Sequence, residues 1–190
     1  MKHFTLAALC AATLTVAACG GSSSGSIGSS DGDLPARYDG LEGFVAAAES
    51  DSLDEASGAM MSGSATMSGA IGIGDIGEEE TLELLGDLSL TADFTGGTVT
   101  GTADNFALYD QDTQAVETAI SGSLAIGGTI AGTSLTGEAN GTLSDDEAHI
   151  VELDMAGTFY DYEGDLAVYG DVSGTIDGEA HDGGFAAVED

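Results

Sequence analysis

The chain has 190 residues, with two basic and 34 acidic side chains, a formal net charge of −32 and 42% hydrophobic residues. So acidic a body has no electrostatic attraction to nucleic acid or to an anionic lipid surface. Spaced Val, Ile, Leu and Phe give it enough apolar side chain for a packed domain rather than wholesale disorder, and the excess acid suits a saline medium, where self-repulsion is screened and solubility is kept.

Met1-Lys2-His3 carries the only lysine, and Phe4 to Ala18 is uncharged and rich in Ala and Leu. That is the n-region and h-region of a secretory signal. About fifteen apolar residues rise only ~22 Å as a helix, short of the ~30 Å hydrocarbon core that a span must cross. The run ends at Val16-Ala17-Ala18-Cys19, which resembles a bacterial lipobox. By that resemblance residues 1–18 are removed and Cys19 is lipidated and N-acylated, and several acyl chains on one residue make a stable membrane anchor. Gly20 follows the cysteine, with no aspartate of the inner-membrane retention kind, so the outer membrane is the expected location. With Cys10 discarded and Cys19 acylated, no thiol is left for a disulfide or a metal. Arg37 is then the one base facing all 34 acids.

Residues 19–40 form the lipidated cysteine and a Gly/Ser/Asp tether. About 14 such residues span ~20 Å as a flexible coil. In residues 41–56, Leu41, Phe44, Val45 and Ala48 stand at helical spacing, which predicts one short helix over 41–49. It is expected to pack against the rim of the strand-rich domain on its C-terminal side.

From residue 57 to 190 the period changes from 3.6 to 2, glycine recurs, and no proline occurs after Pro35. The first two strands read from Ala65, Met67, Ile71 and Ile73, and from Leu82, Leu84, Leu88, Leu90, Ala92 and Phe94, alternating with polar residues. Further strands are expected near 98–109, 116–126, 135–143, 149–159, 166–176 and 184–188. One apolar face per strand implies an antiparallel meander, and eight such strands can close into a barrel filled by their own side chains. The fold class predicted is therefore all-β, an eight-stranded antiparallel up-and-down β-barrel.

The segments "SGSATMSG", "LSLTADFTGGTVTGTADNF", "GTFYDYEGDLAVYGDVSG" and "GGFAAVED" resemble the β-barrel domain of transferrin-binding protein B and its relatives, including the factor H-binding lipoprotein. The likeness covers residues 57–190. It implies a surface or outer-membrane lipoprotein whose barrel exposes loops to a partner. The larger relatives carry two barrels with handle domains where this chain has one, and Asp161 stands where the family often has glycine after its Phe-Tyr pair.

The mature chain would keep two histidines and neither lysine nor a free cysteine thiol, so few catalytic constellations can be assembled, and no Gly-x-Ser-x-Gly elbow is present. A non-catalytic protein is expected, with no cofactor. His149 shares the parity of Val151, Leu153 and Met155, which places it in the core or at a rim; His181, among Asp177, Glu179 and Asp182, reads as part of a solvated loop. Met60, Met61 and Met67 read as core filling.

In an up-and-down barrel alternate connections share an end. One rim should then gather Asp75, Glu78, Glu79 and Glu80, then Asp110 and Asp112, then Asp145, Asp146 and Glu147, and lastly Asp177, Glu179 and Asp182. The opposite rim would hold connections at 95–97 and 127–128 and a loop with Asp161, Glu163 and Asp165. The first strand starts from that second rim, so the acid-rich rim should face away from the membrane. Glu78, Glu79, Glu80, Asp145, Asp146 and Asp182 are candidate ligands for a hard cation such as Ca²⁺, against simple solvation of turns. The function expected is a lipid-anchored binding protein presenting loops to an extracellular protein or a small solute. The alternative is an acidic structural or adhesion-type coat lipoprotein without a discrete ligand, and an open barrel mouth would favour the first.

Overall fold

The computed structural model describes residues 35–77 and 81–190; the signal segment, Cys19, the tether and Glu78–Glu80 lie outside the described residues. A 3₁₀ turn, Ala36–Tyr38, leads into helix α1, Asp39–Glu49. The strands are β1 Asp54–Glu55, β2 Ser64–Ile76, β3 Leu82–Asp93, β4 Thr98–Asp110, β5 Val116–Ala119, β6 Ser121–Ala131, β7 Ser134–Ser144, β8 Ala148–Tyr162, β9 Asp165–Ile176 and β10 Glu179–Glu189. β2, β3, β4, β6, β7, β8, β9 and β10 pair antiparallel with their sequence neighbours, and β10 pairs back onto β2, with Phe185 opposite Ile71. The result is the closed eight-stranded meander that the alternation predicts. β5 continues β6 along β4 across a break at Ile120, whose N–H donates to the Phe106 carbonyl at 2.8 Å.

Cross-strand partners share a face, so the register separates inside from outside. Met67, Leu90, Ile126, Leu153, Met155, Phe159, Val172 and Phe185 fall on the inner face and are buried. Space for these rings and branches comes from facing glycines. Opposite the β3–β4 bulge, a Cβ on Gly86 would stand 2.4 Å from the Phe106 ring. Asn105 takes the left-handed conformation there, φ 52°, as a bulge residue can.

Two sequence expectations are corrected. Gly127 and Gly128 do not form a connection: they lie inside β6, which runs to Ala131, and the turn is Gly132-Thr133. The reason is a close approach, since a Cβ on Gly128 would lie 2.4 Å from the Thr136 carbonyl oxygen across the pair. Helix α1 packs on the outer wall, not the rim. Its Leu41, Phe44, Val45 and Ala48 are buried, and Phe44 meets Tyr162 and Tyr169 with ring centroids 5.2 and 6.4 Å away. The outward positions in this sector, Ala70, Gly72, Ala167, Gly184 and Ala186, are small and buried, and small residues let a helix lie close to a sheet.

The start of the helical segment is stapled to the wall. Arg37 donates to Tyr38 Oη and to the Asn105 carbonyl (3.1 Å), and its Nε stands 3.6 Å from Asp87. Tyr38 donates to Asp87 at 3.0 Å, and burial pushes its hydroxyl pKa up. At the end of the barrel where β2 begins, β1 pairs with Tyr160 and Asp161 of β8. Met60 and Met61 pack on the core there, beside Phe94 and Phe159 in edge-to-face contact at 5.4 Å. The segment covers that end in part, beside a recess of about 370 Å³ lined by Ala56, Gly58, Met61, Phe94, Ile130, Gly132 and Thr133.

Candidate functional site

The opposite end is open. Ile76, Leu84, Leu108, Ile120, Leu143, Val151 and Ile176 line an apolar cup there of about 280 Å³, with Gly77, Asp145, His149, Asp177, Glu179 and His181 also on its wall. The inward parity of β3, β4, β7, β8 and β9 supplies the apolar side chains, and the loss of alternation at the strand ends supplies the polar lip. Val116 and Ile150, the exposed large apolar residues at 58% and 61%, also stand at this end, on strand ends beside the connections 111–115 and 145–147.

Two carboxylates of the lip converge on His149. Asp177 and Gly178 form the two-residue β9–β10 turn, both with positive φ (52° and 86°), the type I′ geometry that suits Asp-Gly. This turn holds the Asp177 carboxylate against β8: one oxygen accepts from the Ile150 N–H at 2.8 Å and the other faces His149 Nδ1 at 2.7 Å. On the other side Asp145 Oδ1 accepts from the Glu147 N–H at 2.9 Å and stands 3.3 Å from His149 Nε2. With both ring nitrogens facing carboxylates, the protonated ring is favoured. The His149 pKa is raised, first by the Asp177 contact and then by Asp145. Asp177 is held low mainly by His149 and then by the Ile150 amide, and Asp145 is held low mainly by the Glu147 amide and then by His149.

His149 thus occupies the rim position its parity implies. His181 does not lie in a loop: β10 begins at Glu179, and His181 pairs with Gly174 on the inner face, half-buried in the mouth. The signal was present in the sequence, because His181 shares its parity with Gly183, Phe185 and Ala187. Of the six carboxylates considered for a cation, Asp145 is at the lip and Asp146 is exposed in the same turn. Asp182 pairs with Ser173 on the outward face of β10, away from the mouth, and Glu78, Glu79 and Glu80 lie outside the described residues. Among the described residues no three His, Cys, Asp or Glu form a group that could hold a metal ion, and no helix is long and apolar enough to cross a membrane. Comparison with known proteins finds no family model and no curated protein that matches the chain.

Proposed function

We propose that this is an outer-membrane or cell-surface lipoprotein, anchored through lipid on Cys19, that works without catalysis by taking a small apolar solute into the mouth of its barrel. The observation that carries the reading is the asymmetry of the two ends. One is partly covered by the Met60–Met61 segment, beside a recess whose lining includes Gly58, Gly132 and Thr133, and the other opens on a cup lined by seven aliphatic side chains. Concave, mostly apolar sites with a few convergent polar groups are where small molecules bind. Beyond the cup the interior is filled by Leu90, Leu124, Met155 and Phe185, so a bound molecule is confined to the mouth.

The test uses N-phenyl-1-naphthylamine, a neutral apolar fluorophore, with the mature chain carrying Cys19→Ser. Saturable fluorescence enhancement, lost in an additional Ile120→Trp variant that fills the cup while keeping the native circular dichroism spectrum, is expected. No saturable signal, or one indifferent to Ile120→Trp, would leave the coat-protein reading. The anchor has its own test. Cys19→Ser in the producing cell should abolish incorporation of labelled palmitate, and label persisting in that variant would contradict the lipobox.

A further inference from the structure

We propose that the mouth selects apolar molecules that carry a positively charged head, such as an alkylammonium, over neutral or anionic molecules with the same tail; this rests on the mouth being the binding site. The cup and its lip make complementary demands. Seven aliphatic side chains accept a hydrocarbon tail, and the charged groups on the same wall are Asp145, Asp177 and Glu179 with His149 and His181. Three carboxylates against two imidazoles leave the lip negative even with both rings protonated, and more so with both neutral. One of the two rings is already engaged: His149 faces Asp177 at 2.7 Å and Asp145 at 3.3 Å through its two nitrogens, and His181 is the other imidazole on this wall.

Among the described residues no arginine or lysine is within reach. Arg37, the one arginine of the chain, is tied to Tyr38, Asp87 and the Asn105 carbonyl on the outer wall. An anionic head entering the lip would therefore meet three carboxylates and neither arginine nor lysine, and would lose hydration without a permanent counter-charge, which is costly. An ammonium head would exchange water for carboxylate oxygens that are already ordered, Asp177 by the Ile150 amide and Asp145 by the Glu147 amide. The acidity of the whole molecule adds attraction at a distance, raising the local concentration of cations at low salt.

Three probes with one tail separate head from tail: octylammonium, 1-octanol and octanoate, titrated calorimetrically into the mature Cys19→Ser chain at pH 7.5. Exposed charge pairs are individually weak, so octylammonium is expected to bind about tenfold tighter than 1-octanol at low ionic strength, with the margin falling to about threefold at 0.5 M NaCl as the lip is screened. Octanoate should bind more weakly than 1-octanol. Glu179→Gln together with Asp145→Asn should shrink the ratio of octylammonium to 1-octanol affinity, and Ile120→Trp should weaken all three. Equal binding of octylammonium and 1-octanol would overturn the head-group selection while the mouth stands as an apolar site. Tightest binding by octanoate would reverse it. Octylammonium binding that ignores Ile120→Trp would be surface adsorption and would also overturn it. If no probe binds, the mouth is not a solute site and both readings fall.

Discussion

His149 ties Asp145 and Asp177 into one pH-dependent cluster. Because the folded ring holds its proton more tightly than an unfolded one near pKa ~6.5, its contacts add stability that is fully present below about pH 6.5 and lost as the pH rises through the raised folded value. Asp145 and Asp177 have the opposite sense. Their lowered values add stability that is present above the unfolded carboxyl range, about pH 4, and lost as the pH falls through the folded values. The cluster therefore stabilises most between about pH 4 and 6.5. His149→Gln should lower the melting temperature most in that window, with the difference shrinking toward pH 9; a pH-independent difference would show that the Asp177–His149–Asp145 contacts carry no charge linkage. Period 2 along β8 is enough to place this histidine at a rim. Nothing local to residues 145–149 identifies Asp177 as its nearer partner, because that contact depends on the β8–β9 register and on a turn 28 residues away.

At the scale of elements, alternation locates all eight barrel strands and 3.6 spacing locates the helix, and the misses share a cause. The sequence pattern ends the fourth strand at 126 and begins the last at 184, since Gly-Gly and "GEAHDGG" look like punctuation. In a tightly coiled barrel Gly128 and Gly183 are where one backbone passes close to its neighbour, and pairing continues through them. The site of the helix is illegible for a related reason. The outer-wall platform of Ala70, Gly72, Ala167, Gly184 and Ala186 comes from β2, β9 and β10 and becomes one surface only when β10 closes onto β2. The helix is an integral part of the fold, with Phe44 fully buried between it and the wall. Phe44→Ala should cost about 3–5 kcal/mol, as large aromatic truncations in packed sites do, measured by urea unfolding. A loss under about 1 kcal/mol would mean that the helix rests on the barrel without stabilising it.

For the whole molecule the dominant fact is single-sign charge. Described carboxylates are spread over both rims and the outer wall, and Asp182 points away from Asp145. The melting temperature should therefore rise with NaCl and follow ionic strength, and Ca²⁺ at matched ionic strength should give the same curve; a saturable further gain from Ca²⁺ would reveal a bound ion and return the acid-rich rim to a cation-binding role. The barrel also divides into a partly covered end and an aliphatic-lined open one, a division no short stretch of sequence announces, because Met60–Met61 and the Ile76–Ile120–Ile176 cup are set at opposite ends by the meander. Methyl chemical shifts of the mature Cys19→Ser chain titrated with 1-octanol test this division most directly. Saturable shifts are expected in Ile76, Ile120, Leu143 and Ile176, with Met60 and Met61 unmoved; shifts centred on the two methionines, or small uniform shifts over the whole barrel, would contradict an open mouth opposite a partly covered end.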